Sequence, residues 1–205
     1  MGNIHDLNNM PKVGVFFGKM IPPTRGHLTA ILNAATQVQK LYVVISDNVN
    51  RTARICKEAG ISNMPVNLRM QWLKQEFQDM PHIKVVKLDE TDIPEYPNGW
   101  TEWARLMQEA VNEDINVFFC GEQEYVENLN KYFPNTTVRL FDPHRTNYNI
   151  SATRIRENVL ANWEHLLGPA RPFFAMKVLI AGSESCGKTT LTKALAKLYC
   201  TSWSE

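Results

Sequence analysis

Five short, largely apolar runs, separated by longer stretches with helical spacing, constrain this chain more than any other feature. The runs are Val13–Phe17, Leu41–Ile45, Ile83–Leu88, Val117–Cys120 and Val138–Phe141. Between them, Leu28–Val38, Leu68–Phe77, Trp103–Val111 and Tyr125–Tyr132 repeat apolar residues at helical spacing. Leu68, Trp72, Leu73 and Phe77, for example, share one face. Short continuous apolar strands alternating with helices predict a parallel sheet covered on both faces. Right-handed crossovers then give a doubly wound α/β domain. Such a domain binds ligands outside the carboxyl ends of its strands, where the strand order reverses.

The segment Gly168-Pro-Ala-Arg-Pro172 interrupts the pattern and reads as a linker. Beyond it come a sixth apolar run, Met176–Ala181, a glycine-containing turn, and a helical stretch from Lys188 to Tyr199. The expected organisation is a first domain over 1–167, a linker over 168–175, and an incomplete second βα unit over 176–205.

Charge excludes some partners. Lys plus Arg number 22 and Asp plus Glu 21, so no global field draws nucleic acid or an anionic membrane, and neither is expected as a partner. The four cysteines, Cys56, Cys120, Cys186 and Cys200, form no C-x-x-C pair and lie at no zinc-ligand spacing from a histidine. Reduced thiols and no bound metal are expected. The N-terminus carries no basic-then-apolar signal pattern, and no apolar run approaches about 20 residues. A soluble, cytoplasmic protein is the expectation, with homo-oligomerisation left open.

Two stretches carry phosphate chemistry. Directly after the first run stands Gly18-Lys-Met-Ile-Pro-Pro-Thr-Arg-Gly-His27. Gly18 permits a sharp turn and close ligand approach. Thr24, Gly26 and His27 open a helix whose N–H groups and dipole favour an anion. A histidine there can donate to a phosphate oxygen and stabilise charge during transfer. Lys19, inside the stretch, is a further phosphate candidate, ahead of Arg51, Arg54 and Arg69. The second stretch, Ile150-Ser-Ala-Thr-Arg-Ile-Arg156, follows the fifth run. Ser151 suits an N-cap, Thr153 lies in the first turn, and arginine forks suit phosphate oxygens. A plain capped helix with solvated arginines has the same pattern.

Thr24-Arg-Gly-His27 resembles the (H/T)-x-G-H motif of the nucleotidylyltransferase superfamily, with threonine in place of the more usual first histidine. Ile150–Arg156 resembles that superfamily's second signature. The resemblance implies that Ser151, Thr153 and Arg156 grip the ATP triphosphate. It also implies that Gly121, after the fourth run, helps hold adenine and ribose, with Glu122 accepting from a hydroxyl; a simple strand-to-helix turn fits those two residues nearly as well. An in-line displacement at the α-phosphorus follows, with Mg²⁺ accompanying ATP. His27, Thr24, Lys19 and Arg156 are the candidate catalytic residues, and Gly18 and Gly26 join the ATP site.

The acceptor is read from Leu88–Trp103, which follows the third run. Trp100 and Trp103 offer flat faces that suit a pyridinium ring. Trp100, beside Asn98-Gly99, is expected to be exposed, while Trp103 is equally suited to the core. Phe17, Lys19, Asp92, Trp100 and Trp103 are the candidate acceptor contacts. Gly182-Ser-Glu-Ser-Cys-Gly-Lys-Thr189 matches G-x-x-x-x-G-K-[ST] in full. In that motif Gly182, Gly187 and Lys188 serve phosphates and Thr189 serves Mg²⁺.

Loop, TRGH variant and P-loop together resemble the NadR-type family, which fuses nicotinamide mononucleotide (NMN) adenylyltransferase to a ribosylnicotinamide kinase. The resemblance implies ATP and NMN as substrates and NAD as product. Only 16 residues follow Thr189 in this sequence, so no kinase activity is expected, and the stretch before the first run is too short for a helix-turn-helix. The alternatives are another phosphorylated acceptor, or a non-catalytic module that senses NAD or ATP.

Overall fold

The computed structural model describes residues 10–95, 97–142, 150–199 and 201–204. The segment 143–149, which leads into the second motif, and Cys200 lie outside the described residues. The elements run β1 (Val13–Gly18), α1 (Arg25–Ala35), β2 (Lys40–Asp47), α2 (Val49–Glu58), α3 (Val66–Glu76), β3 (Ile83–Asp89), α4 (Trp100–Val111), β4 (Val117–Cys120), α5 (Val126–Tyr132), β5 (Thr137–Leu140) and α6 (Ala152–Glu157). All four strand pairings are parallel, in the order β3-β2-β1-β4-β5. The first three strands are laid down in one direction, and the chain then returns to add β4 on the far side of β1. This is the doubly wound sheet, with its order reversal between β1 and β4.

The pleat sorts side chains onto two cores. Val13, Val15 and Phe118 pack with Trp103, Met107, Val111, Leu129 and Phe133 from α4, α5 and the residue that caps α5. Gly14 and Phe119 face the other way. A methyl group on Gly14 would lie 2.8 Å from Val38 Cγ1 and 2.9 Å from Phe119 Cε2, so only glycine lets this side of the sheet close.

α2 is absent from the sequence-based expectation. Its buried residues are Thr52 and Cys56, and its other turns carry Arg51, Arg54 and Lys57, so no stripe of large apolar residues marks the helical period. The legible signal was Asn48, whose side chain caps the helix by accepting from the Arg51 N–H at 2.9 Å.

Beneath the loop after β1 lies a buried ion pair. Arg69 of α3 is fully buried and donates to Asp47 Oδ1 at 2.5 Å, to the Met64 carbonyl at 3.0 Å and to the Lys19 carbonyl at 2.5 Å. In the sequence Arg69 is one of the lesser candidates for a phosphate contact. Its guanidinium is instead spent on protein oxygens, because a buried cation is tolerable only when its donors are satisfied.

The chain divides into two compact units between Phe173 and Phe174. In the first unit, Gly168–Ala170 forms a short 3-10 turn with Ala170 fully buried, and Phe173 packs edge-on against Trp72 of α3 at 5.5 Å. Within the segment expected to be a linker, Ala170 and Phe173 thus pack on the first unit while Gly168 and Pro172 are exposed. A short helix, α7 (Arg171–Phe174), spans the division, and α8 (Lys188–Leu198) belongs to the second unit. Met176–Ala181, expected as a strand, is not one. No neighbouring strand pairs with it among the described residues, and an unpaired run cannot form a ladder. Met176 and Leu179 are each 90% exposed. No helix among the described residues is long and apolar enough to cross a membrane.

The buried pair gives a direct test. Asp47→Ala strands the Arg69 cation and is expected to lower unfolding stability by about 3–5 kcal/mol in urea denaturation. A loss below about 1 kcal/mol would show that the pair does not hold this end of the sheet.

Candidate active site

A cleft of about 480 Å³ opens at the carboxyl ends of β1, β2 and β4, where the strand order reverses. Phe17, Gly18, Lys19, Thr24, Gly26, His27, Trp100, Trp103, Gly121, Ser151, Thr153 and Arg156 all line it. Asp92 does not. The Ile93 N–H donates to the Glu90 carbonyl at 3.1 Å and closes a turn that leaves Asp92 exposed at its corner. Its neighbours Glu90, Ile93 and Pro94 line the cleft in its place.

The first motif is a reciprocal cap. Thr24 is the N-cap of α1 and is buried. Its hydroxyl accepts from the His27 backbone N–H at 3.2 Å, and its own N–H donates to His27 Nδ1 at 3.0 Å. A backbone N–H can only donate, so Nδ1 is an acceptor, and the proton of the neutral ring sits on Nε2. The cap thereby fixes both the orientation and the tautomer of His27. The sharp turn of this loop falls on Met20, not on Gly18: Met20 is the residue with positive φ, at 50°, and it is almost wholly buried. A non-glycine residue there costs roughly 1 kcal/mol, and the Arg69 bond to the Lys19 carbonyl holds it in place.

The second motif meets the first. Ser151 caps α6 by accepting from the Arg154 N–H at 3.2 Å. Arg156 donates to the Ile21 carbonyl at 2.5 Å and to Thr153 Oγ1 at 3.0 Å. Thr24 also forms an antiparallel bridge with Leu166. Two stretches more than a hundred residues apart are thus tied side by side on one cleft.

Lys19 sits at the mouth of the cleft. Although the residue as a whole remains exposed, loss of hydration holds its ammonium below the usual lysine range, and repulsion from Arg51 adds to this. Glu90 and Glu95 partly offset both effects. Arg51 lines the cleft, whereas Arg54 does not and pairs with Glu95 at 3.3 Å on the surface. Cys120, at the cleft floor, is pushed up to about 11 by burial, so it is a neutral thiol. Among the described residues no three His, Cys, Asp or Glu side chains cluster as a metal site.

The opposite wall is aromatic. Trp103 is 9% exposed and belongs to the core, yet it also lines the cleft. Trp100 is half-buried rather than exposed. It meets Trp103 at 5.1 Å and Tyr125 at 5.8 Å, and stacks on Tyr132 with planes 8° apart. Phe17 joins Trp103 at 5.2 Å. Gly99 begins α4 with φ 81°, and a methyl group there would lie 2.4 Å from Ile93 Cγ2 and 2.6 Å from the Pro94 carbonyl. Tyr125 and Glu90 were missed in the sequence. Glu90 stood just beyond a strand, the one available hint.

In the second unit the P-loop precedes α8, with Gly187 at φ 84°. Lys188 turns back on its own loop, where its ammonium donates to the Ser183 carbonyl at 2.5 Å. Gly182 and Thr189 are exposed.

Sheet order, reciprocal cap and second helix start together define a Rossmann-like nucleotidylyltransferase domain. The chain is 32% identical over 193 residues to the trifunctional NAD biosynthesis/regulator protein NadR of Salmonella typhimurium, covering 92% of this chain and 47% of that protein. Its likeness is to the NadR-type nucleotidylyltransferases, and it spans about half the length of the curated relatives it matches. Two crystal structures agree. NadR in complex with NR superposes with a TM-score of 0.77 at 35% identity, over 92% of this chain and 52% of that one. NadR in complex with NAD and AMP-PNP gives 0.73 at 36% identity, over 91% and 53%. No protein-family model matches the chain.

Gly99→Ala is expected to strain the backbone and displace the Ile93–Pro94 turn, costing about 1–3 kcal/mol. It should also flatten the near-ultraviolet circular dichroism of the tryptophans. Unchanged stability and spectrum would show that the turn tolerates a side chain.

Proposed function

We propose that the first unit transfers the adenylyl group of ATP to nicotinamide mononucleotide, giving NAD and pyrophosphate. One observation carries the reading: His27, Ser151, Thr153 and Arg156 reach a single cleft whose other wall is built of Trp100, Trp103 and Phe17. A triphosphate needs the first set, and a flat cationic ring bearing a phosphate needs the second. The NadR structures in complex with NR, and with NAD and AMP-PNP, support nicotinamide and adenine nucleotide ligands of this general class.

The acceptor's 5′-phosphate is already ionised near neutral pH, so no general base is required. One of its oxygens bonds to the α-phosphorus of ATP, the bond from that phosphorus to the α–β bridging oxygen breaks, and pyrophosphate leaves with the electron pair. The protein's part is alignment and charge stabilisation. His27 presents its Nε2–H to the α-phosphate. Arg156, Ser151 and Thr153 hold the outer phosphates, and Lys19 spans the mouth between the two substrates. The nucleotide would be taken up as its Mg²⁺ complex, the ion shielding the phosphate charge. Lys19, His27 and Arg156 are donors that suit phosphate oxygens, so the nucleotide itself would carry the ion.

The test is formation of NAD and pyrophosphate in equal amounts from ATP and NMN by the wild-type chain. His27→Ala is expected to lower kcat by about 100-fold or more while leaving the fold intact. Trp100→Ala should raise the KM for NMN far more than that for ATP. Absence of dinucleotide from the wild type, or near-normal turnover by His27→Ala, would overturn the reading.

A further inference from the structure

Glu90 stands at the first turn beyond β3, in the acceptor half of the cleft, and none of the phosphate chemistry uses it. Its carboxylate is nearly buried, with a side-chain exposure of 13%. One oxygen, Oε2, accepts from the Arg51 guanidinium, itself only 12% exposed. The other, Oε1, accepts from the Trp103 indole N–H at 3.1 Å. The backbone of Glu90 is pinned as well: its N–H donates to the Asp47 carbonyl at 2.6 Å, and its carbonyl accepts from Asn48 Nδ2 at 3.1 Å. Three elements therefore meet at one residue, α2 through Arg51, the end of β2 through Asp47 and Asn48, and α4 through Trp103.

An ionised carboxylate has acceptor capacity for two donors at once, one on each oxygen. Both bonds here are of the strong kind, one being a charge-assisted pair with a guanidinium. The indole N–H bond sets the plane of Trp103, and that ring packs against Phe17 at 5.2 Å and Trp100 at 5.1 Å. The guanidinium bond sets where the Arg51 cation enters the cleft beside Lys19. An aromatic surface and a cation are thus held at a fixed separation by a single group that need not touch the ligand.

We propose that Glu90 is a positioning residue for the acceptor: one carboxylate orients the Trp103 ring and the Arg51 cation together, so that a ring and its phosphate are received in a single register. The inference rests on the proposed NMN reaction for its kinetic consequence, but not for its structural one. Glu90→Gln offers one carbonyl oxygen and one NH₂, and the NH₂ cannot accept from either donor, so one of the two bonds is lost.

The experiment uses the full chain. In the Glu90→Gln protein the KM for NMN is expected to rise about tenfold or more, the KM for ATP to stay within about twofold, and the melting temperature to support a folded protein at the assay temperature. In ¹H–¹⁵N spectra, the Trp103 indole N–H resonance should shift and lose protection from solvent exchange. Trp103→Phe keeps an aromatic ring but removes the indole N–H together with the five-membered ring, and is expected to raise the KM for NMN alone by several-fold. Glu90→Asp keeps the charge but shortens its reach by one methylene; it is expected to displace the indole resonance and raise the KM for NMN alone, and so decides the matter if Glu90→Gln fails to fold. Combining Glu90→Gln with Trp103→Phe should add less than their separate effects. An unmoved indole resonance, or KM values for both substrates changing equally, would overturn the assignment. A wild type that makes no NAD would instead sink the proposed reaction, and the indole resonance would still judge Glu90.

Discussion

The loop from Gly18 to Thr24 is held from two directions by arginines that come from far along the chain. Arg69 reaches it from below, with its charge neutralised by Asp47 and its remaining donors on the Met64 and Lys19 carbonyls. Arg156 reaches it from the side through the Ile21 carbonyl. Without such ties, a loop with a left-handed Met20 would relax toward commoner backbone conformations. With them, the N-cap threonine is seated, its N–H fixes Nδ1 of His27, and one ring nitrogen remains as the donor. Protein oxygens thus convert two cations into supports for the imidazole.

The same cleft divides by chemistry. One half is lined by hydroxyls, an imidazole and guanidinium groups at helix starts, which suits phosphate oxygens. The other is a cluster of Phe17, Trp100, Trp103 and Tyr125, backed by Tyr132. Lys19 lies at the seam, and its lowered pKa reflects loss of hydration first, with repulsion from Arg51 and Arg156 adding to it. Pre-set groups of this kind spend little reorganisation energy when charge moves between two phosphates.

Much of this was legible in the sequence, for identifiable reasons. The strands are short and continuously apolar, so their number, order along the chain and parallel pairing could be read. Both motifs sit where a strand gives way to a helix, the place where a doubly wound sheet puts its ligands. Other features were hidden. Thr52 and Cys56 do not mark a helix face as leucines would, so α2 went unseen. Arg69 and Arg51 look alike in sequence, and only burial separates a strut from a cleft residue. Asp92 is the acidic residue expected in the acceptor loop and Glu90 the one that lines the cleft, because nothing in the sequence shows which side of a turn faces inward. Met176–Ala181 has the composition of a strand, but a strand is a property of two chain segments.

The central claim is that the two helix starts grip one triphosphate. Calorimetric titration with α,β-methylene ATP tests it most directly, in a Lys188→Ala chain so that the P-loop does not contribute. The account predicts a single site that His27→Ala and Arg156→Ala each weaken, Arg156→Ala by about tenfold, with the pair non-additive because both act on the same phosphates. An affinity unchanged by Arg156→Ala, or two independent sites separated by these substitutions, would contradict it.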